Sequence, residues 1–104
     1  MDDRRRFGRF DAQLEAQYFI REKKGGSGKC TVIDVSRKGV GIKFSKHENI
    51  NAGSNIHLEV TVPTELEPVS IKGVLKHIKQ EGDDFIGNVE LNEVLDEDKF
   101  GRLG

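Results

Sequence analysis

The chain has 104 residues and a formal net charge of −1, from 17 lysines and arginines and 18 acidic residues. This length fits one domain with a modest core, and the near-neutral charge excludes a protein that binds nucleic acid or membranes through overall basicity. Cys30 is the only cysteine, which excludes an intramolecular disulfide and a four-cysteine zinc site.

The first predicted element is a flexible arm over residues 1–11. It contains a cluster of arginines, namely Arg4, Arg5, Arg6 and Arg9. A polar chain terminus is poorly ordered unless other contacts hold it, which is why we predict flexibility. Positive charge concentrated at one end of a near-neutral chain is typical of a local anion site.

Beyond the arm, apolar and polar residues alternate, as expected of half-buried β-strands. The alternation predicts six strands, near residues 14–20, 30–33, 40–44, 56–62, 69–78 and 85–91. In the fifth strand Gly73 breaks the phase of the alternation, which predicts a bulge or sharp bend at that glycine. After the sixth strand, Asn92 is the predicted N-cap of a short C-terminal helix within residues 93–104.

Six short strands joined by glycine-rich turns predict an all-β domain, a six-stranded antiparallel β-barrel over residues 12–92. Closure is expected because a sheet of short strands gains by removing its exposed edges.

Two short motifs indicate the function. The first is Arg5-x-x-x-Arg9 in the arm, and the second is Asp34-x-Ser36-x-x-Gly39, which links the second and third strands. Arginine supplies charge, a bidentate fork for phosphate or for guanine O6 and N7, and a flat face that stacks on purines. A carboxylate accepts hydrogen bonds from guanine N1–H and N2–H₂, and a serine hydroxyl donates to a phosphate oxygen. Together the motifs favour a phosphorylated purine ligand.

With these motifs in this order on a six-strand pattern, the chain resembles the PilZ domain family of bacterial receptors for cyclic di-GMP. The resemblance implies a barrel with the ligand across its outer surface, clamped by the arm. It implies that Arg5 and Arg9 contact a guanine and the phosphates, and that Asp34 and Ser36 contact the other guanine and nearby phosphate oxygens. Gly39 would let the backbone close under the ligand.

The resemblance covers roughly residues 4–92. Family members with arginine at the position of Arg4 tend to hold two stacked ligand molecules, so the resemblance implies Arg4 as a further ligand contact. The chain departs from the family at Gly8, where many members have proline. A glycine there implies a more flexible arm and therefore a higher entropic cost of ordering the arm on binding.

Other interpretations stay open. The arginine cluster alone is typical of a solvated tail, and the Asp34–Gly39 run is typical of a turn held by local side-chain bonds, with the glycine at positive φ. Two other functions fit the same barrel: a ligand-independent protein-interaction module, and a small barrel that binds single-stranded nucleic acid.

We therefore predict a bacterial, cytoplasmic, non-catalytic receptor or adaptor that binds cyclic di-GMP, changes conformation and signals to an unidentified downstream protein. Neither DNA binding nor membrane insertion is expected, because the charge is near neutral and no apolar run could span a bilayer. The three histidines have no metal-ligand spacing, and no nucleophile–base pair is evident, so we expect no metal, no cofactor and no enzymatic activity.

Overall fold

A computed structural model describes residues 10–22, 26–45 and 51–103 of the chain. The strands are β1 (Phe10–Ile20), β2 (Ser27–Val35), β3 (Gly39–Ser45), β4 (Asn55–Val60), β5 (Val69–Glu81) and β6 (Asp84–Leu91), followed by helix α1 (Glu97–Leu103). They form a closed barrel in the order β1-β2-β3-β6-β5-β4, and every paired strand is antiparallel. The predicted six-stranded antiparallel barrel with a short C-terminal helix is confirmed.

The barrel interior collects the apolar members of each alternation. In β4, Ile56, Leu58 and Val60 are buried, while the residues between them are half-exposed. The most buried side chains come from several strands, among them Val32, Ile42, Leu58, Leu75 and Val89. A period of two places successive side chains on opposite faces of a strand, so this pattern alone separates core from surface.

The fifth strand is irregular, but not where the sequence predicted. Gly73 stays in phase: it is buried and pairs with Ile56 and Leu91, and a Cβ there would overlap the Glu90 carbonyl oxygen. The register shifts further along, between Leu75 and His77. The prediction of a bulge at Gly73 was therefore wrong, because this glycine serves a close approach of two backbones instead of a change of phase.

Two predicted boundaries also move. Strand β1 begins at Phe10, which pairs with Val35, so the last two residues of the predicted arm belong to the barrel. The helix begins at Glu97, and Asp96 caps it by accepting a hydrogen bond from the Lys99 amide (2.8 Å). Asn92 does not cap the helix; its amide donates to the Lys72 carbonyl (3.0 Å) and so continues the sheet.

Helix α1 covers one end of the barrel. Leu103 is buried, and the ring of Phe100 packs edge-on against Phe10 at a centroid distance of 5.2 Å. The helix is therefore in contact with the residue at which the N-terminal segment enters the barrel. No helix in the described ranges is long and apolar enough to cross a membrane.

Candidate functional site

The turn between β2 and β3 is held by the serine of the second motif. The Ser36 amide donates to the Gly39 carbonyl (2.8 Å), and the Ser36 hydroxyl both donates to that carbonyl and accepts from the Gly39 amide (3.0 Å each). Ser36 is only 8% exposed. The turn interpretation of the motif predicted a positive φ at Gly39. Among the described residues only Gly53 and Gly82 have a positive φ, so this prediction was wrong. Gly39 instead starts β3 as a regular pairing residue opposite Glu90.

Asp34 lies at a register shift in β2, between Val32 and Asp34, and is half-exposed on the outer face. One carboxylate oxygen, Oδ1, accepts a hydrogen bond from the Gly41 amide (3.0 Å). A Cβ on Gly41 would lie 2.7 Å from the other oxygen, Oδ2, so the carboxylate occupies the space where a side chain at position 41 would stand. The carboxylate is therefore held over the backbone of β3 at Gly41, where no side chain is present.

Gly41 is a candidate site residue that the sequence interpretation missed. Its φ is not positive, so the turn does not require glycine there; the approach of the carboxylate does. Its role follows from the pairing of Asp34 with Gly41, and that pairing depends on the register between β2 and β3.

Strand β1 begins beside the second motif. Phe10 pairs with Val35 and Asp11 pairs with Asp34, so the chain preceding β1 arrives next to the turn. Arg4, Arg5 and Arg9 of the predicted site, with Gly8, lie outside the described residues, and their contacts with the turn stay a prediction.

The turn also holds the C-terminal segment. Arg37 Nε donates to the Leu95 carbonyl (3.0 Å), and the Leu95 amide donates to the Arg37 carbonyl (2.7 Å). The Leu91 amide donates to the Lys38 carbonyl (2.8 Å). Two of the three variable positions of the motif, Arg37 and Lys38, thus hold β6 and the chain that leads to α1.

A groove of about 500 Å³ runs along the outside of β1, β2 and β3, with Lys29, Thr31, Ile33 and Lys43 in its wall. Cys30 also lines it, but burial raises the pKa of this thiol to about 12. A thiol with so high a pKa is protonated at neutral pH and is a poor nucleophile.

The remaining polar cluster lies on the opposite side of the barrel and lacks the geometry of a hydrolase. The Ser70 hydroxyl donates to the Glu59 carboxylate, which also lies 2.5 Å from His57 Nε2. The Ser70 oxygen lies 3.4 Å from His57 Nε2, but its hydrogen is directed to the carboxylate. A nucleophilic serine needs the base as its own acceptor. Across the described part of the chain, no three His, Cys, Asp or Glu side chains are grouped so that they could hold a metal ion.

The start of β1 therefore lies beside the second motif, and comparison with known proteins identifies the family. The family model for the PilZ domain matches residues 3–103. The chain belongs to the PilZ domain family. PilZ domains are in general non-catalytic receptors that bind cyclic di-GMP as a ligand rather than a cofactor, and that interact with partner proteins.

A solved PilZ-domain structure, described as the Bacillus subtilis inhibitor of motility (MotI/DgrA), resembles the chain with a TM-score of 0.71 at 20% sequence identity. The match covers 98% of this chain and 49% of that protein, so the chain spans about half the length of this relative. At such low identity the likeness shows the shared fold. No match is found among curated protein sequences.

Proposed function

We propose that this PilZ domain is a non-catalytic receptor for cyclic di-GMP that grips the ligand between the arginine arm and the β2–β3 turn. One observation carries the proposal: Asp11 pairs with Asp34, so β1 begins beside the Asp34–Gly39 turn, and the Arg5-x-x-x-Arg9 segment directly precedes β1 in the sequence. In this proposal the two motifs, which are separate in the sequence, bind the same ligand.

The fixed carboxylate of Asp34 is suited to a guanine edge. A carboxylate has about four lone-pair positions, and Oδ1 of Asp34 accepts a hydrogen bond from the Gly41 amide. Guanine N1–H and N2–H₂ are adjacent donors that a carboxylate can accept together. Because Asp34 is already oriented by the backbone, little side-chain entropy is lost on binding.

Ser36 acts in the proposal mainly through the turn. Both hydrogen-bonding functions of its hydroxyl are directed to Gly39, so a contact with a phosphate oxygen requires the hydroxyl to rotate. Gly39 contributes a buried backbone without a side chain beneath the ligand. The serine thereby shapes the turn that carries Asp34, and the phosphate contact is a second use of the same group.

The proposal requires the arginines to reach this turn, and the length of the chain before Phe10 allows it. Arg9 is bonded directly to Phe10, and five residues of extended chain from Phe10 to Arg5 span at most about 18 Å. Arginine forks can then engage phosphates and guanine O6 and N7 from the side opposite Asp34. Ordering of the arm over the barrel would change the surface that a downstream protein meets.

Arg4 sets the proposed stoichiometry. A third guanidinium next to the first motif can neutralise and stack on a second ligand molecule, giving two stacked ligands per domain. Calorimetry should then give two ligands for the wild-type chain and one for Arg4→Ala. A wild-type stoichiometry of one would remove this part of the proposal and leave the receptor function standing.

The decisive experiment is a calorimetric titration with cyclic di-GMP, with GTP, cyclic AMP and a short single-stranded oligonucleotide as controls at fixed salt. Three or four matched contacts of about 1–3 kcal/mol each, less the cost of ordering the arm, correspond to roughly micromolar affinity for cyclic di-GMP. Equal binding of the oligonucleotide would favour the nucleic-acid-binding alternative. Absence of binding by every nucleotide would favour the ligand-independent interaction module.

A further inference from the structure

The outer face of β1 and β4 carries an aromatic pair that the barrel leaves exposed. Phe19 pairs with His57 across the two strands, and the centroids of their rings lie 5.7 Å apart. Phe19 is 36% exposed, so the pair offers apolar surface of the kind that is enriched in protein interfaces. The two rings line a concavity of about 300 Å³ together with Arg21 and Lys72.

A fully exposed leucine lies towards the other end of the same face. Leu66 is in the loop between β4 and β5, where Pro63 and Pro68 restrict the backbone. Pro68, two residues further on, lines a groove of about 600 Å³ that runs over β1 and β4 to Phe19 and His57. The exposed leucine and the ring pair therefore lie towards opposite ends of one groove.

The end of the face with the ring pair is basic. Arg21 follows β1 directly, and Lys72 pairs with His57 on β5. The carboxylate of Glu22 is turned to Asn55, where it accepts hydrogen bonds from the backbone and side-chain amides. Lys72 forms no ion pair within the part of the chain that the structure describes. We call this region, defined by Arg21 and Lys72, the basic end.

The end of the face with the loop is acidic. Glu15 lines the groove on β1, and Glu67 follows Leu66 in the loop; neither forms an ion pair among the described residues. Glu65, which precedes Leu66, lies 3.9 Å from Arg102 Nε. We call this region, defined by Glu15 and Glu67, the acidic end.

The spacing of these features suits a two-fold arrangement. One row across the strands consists of Phe19 and His57, the next consists of Gln17 and Glu59, and a third begins with Glu15. Successive rows are two residues apart, or about 6.8 Å. A two-fold axis that runs along the middle row, between two facing copies, therefore lays the first row of each copy over the third row of the other.

We propose that two copies of the chain associate through the outer faces of β1 and β4, with their strands antiparallel and Leu66 of each copy against the ring pair of the other. The interface is isologous, so each contact occurs twice. The acidic end of one copy then faces the basic end of the other, whereas the parallel arrangement would bring like charges together. Neither the arginine arm nor the β2–β3 turn takes part, so the association is independent of cyclic di-GMP.

A charge-swap experiment tests the pairing. One variant reverses the acidic end (Glu15→Lys with Glu67→Lys), and the other reverses the basic end (Arg21→Glu with Lys72→Glu). Analytical ultracentrifugation of the wild type should show a monomer–dimer equilibrium between about 10 µM and 1 mM, because an interface of two strands is small. Each variant alone should stay monomeric over this range. An equal mixture should dimerise at least as well as the wild type, because both contacts then join opposite charges.

The apolar contact has its own variant and control. Leu66→Ala should weaken the dimer at least tenfold, because the leucine contact is lost twice. Ile86→Ala removes a half-exposed apolar side chain from β6, on the other side of the barrel, and should leave the dimer unchanged. Thermal melts establish that all the variants are folded.

NMR of the wild-type chain gives a measurement that needs no variant. Dilution should shift the ring signals of Phe19 and His57 and the methyl signals of Leu66, and should leave the Gly41 amide in place. A wild type that stays monomeric up to about 1 mM would overturn the proposal and leave this face to a different protein. A dimer that survives both charge reversals, or a mixture that stays monomeric, would also overturn it. None of these results bears on the receptor function, which calorimetry tests separately.

Discussion

Gly41→Ala tests whether the backbone, and not only the motif residues, builds the binding site. The new Cβ would lie 2.7 Å from Asp34 Oδ2 and 3.0 Å from Cγ, so the carboxylate has to move and its hydrogen bond with the residue 41 amide is lost or lengthened. Because φ at this position is not positive, alanine fits the backbone, and the effect is confined to the carboxylate.

The expected magnitudes differ for stability and for binding. A hydrogen bond to a charged group contributes about 1.5–3 kcal/mol, and alanine recovers about 0.5–1 kcal/mol over glycine in a strand. Since Asp34 is half-exposed, water replaces part of the lost bond, and the free energy of unfolding should fall by only about 1 kcal/mol. That corresponds to a Tm lower by about 4–8 °C for a domain of this size. Loss of the guanine contact, about 1–3 kcal/mol, should weaken binding of cyclic di-GMP by roughly 5- to 150-fold.

Calorimetric titration and thermal unfolding measure the two effects. Gly101→Ala in helix α1 is the matched control, because a Cβ there meets nothing within 4 Å, and it should leave affinity unchanged. A double-mutant cycle adds the mechanism: in an Asp34→Ala background, Gly41→Ala should cost little further affinity. Wild-type affinity in the single variant, or fully additive losses in the double variant, would refute the argument.

Two further predictions concern the arm and the core. Arg5→Ala and Arg9→Ala should each lower the affinity for cyclic di-GMP at least tenfold in calorimetry, whereas His57→Ala should not change it; equal effects of all three would exclude the assigned site. Leu75→Ala should lower the free energy of unfolding by about 2–5 kcal/mol in urea denaturation, because Leu75 is fully buried, while Leu66→Ala, at a fully exposed position, should change it little. A Leu75 effect no larger than that of Leu66 would contradict the described core.

The sequence predicted the barrel because alternation is a local property. Ile56, Leu58 and Val60 lie on one face of β4 because the side-chain period of a strand is two, and this does not depend on which strands are its neighbours. The Asp34–Gly39 run was likewise recognisable as a turn, because the Ser36 side chain bonds within the same few residues.

The boundaries of the strands and the helix, and the position of the register shift in β5, depended on contacts between distant parts of the chain. Nothing local distinguishes Gly73 as a point of close approach from Gly73 as a bulge; the neighbouring Glu90 backbone decides it. The helix starts at Glu97, and two hydrogen bonds to Arg37 hold Leu95 in the segment before it.

The sequence by itself determined the class of fold, the turn and the residue types suited to a guanine nucleotide, because each of these depends on residues that are close together in the chain. Only the tertiary structure decided that the Asp34 carboxylate lies over Gly41. That relation arises from the register of β2 and β3, and register is fixed when the strands close the barrel and bury one common core.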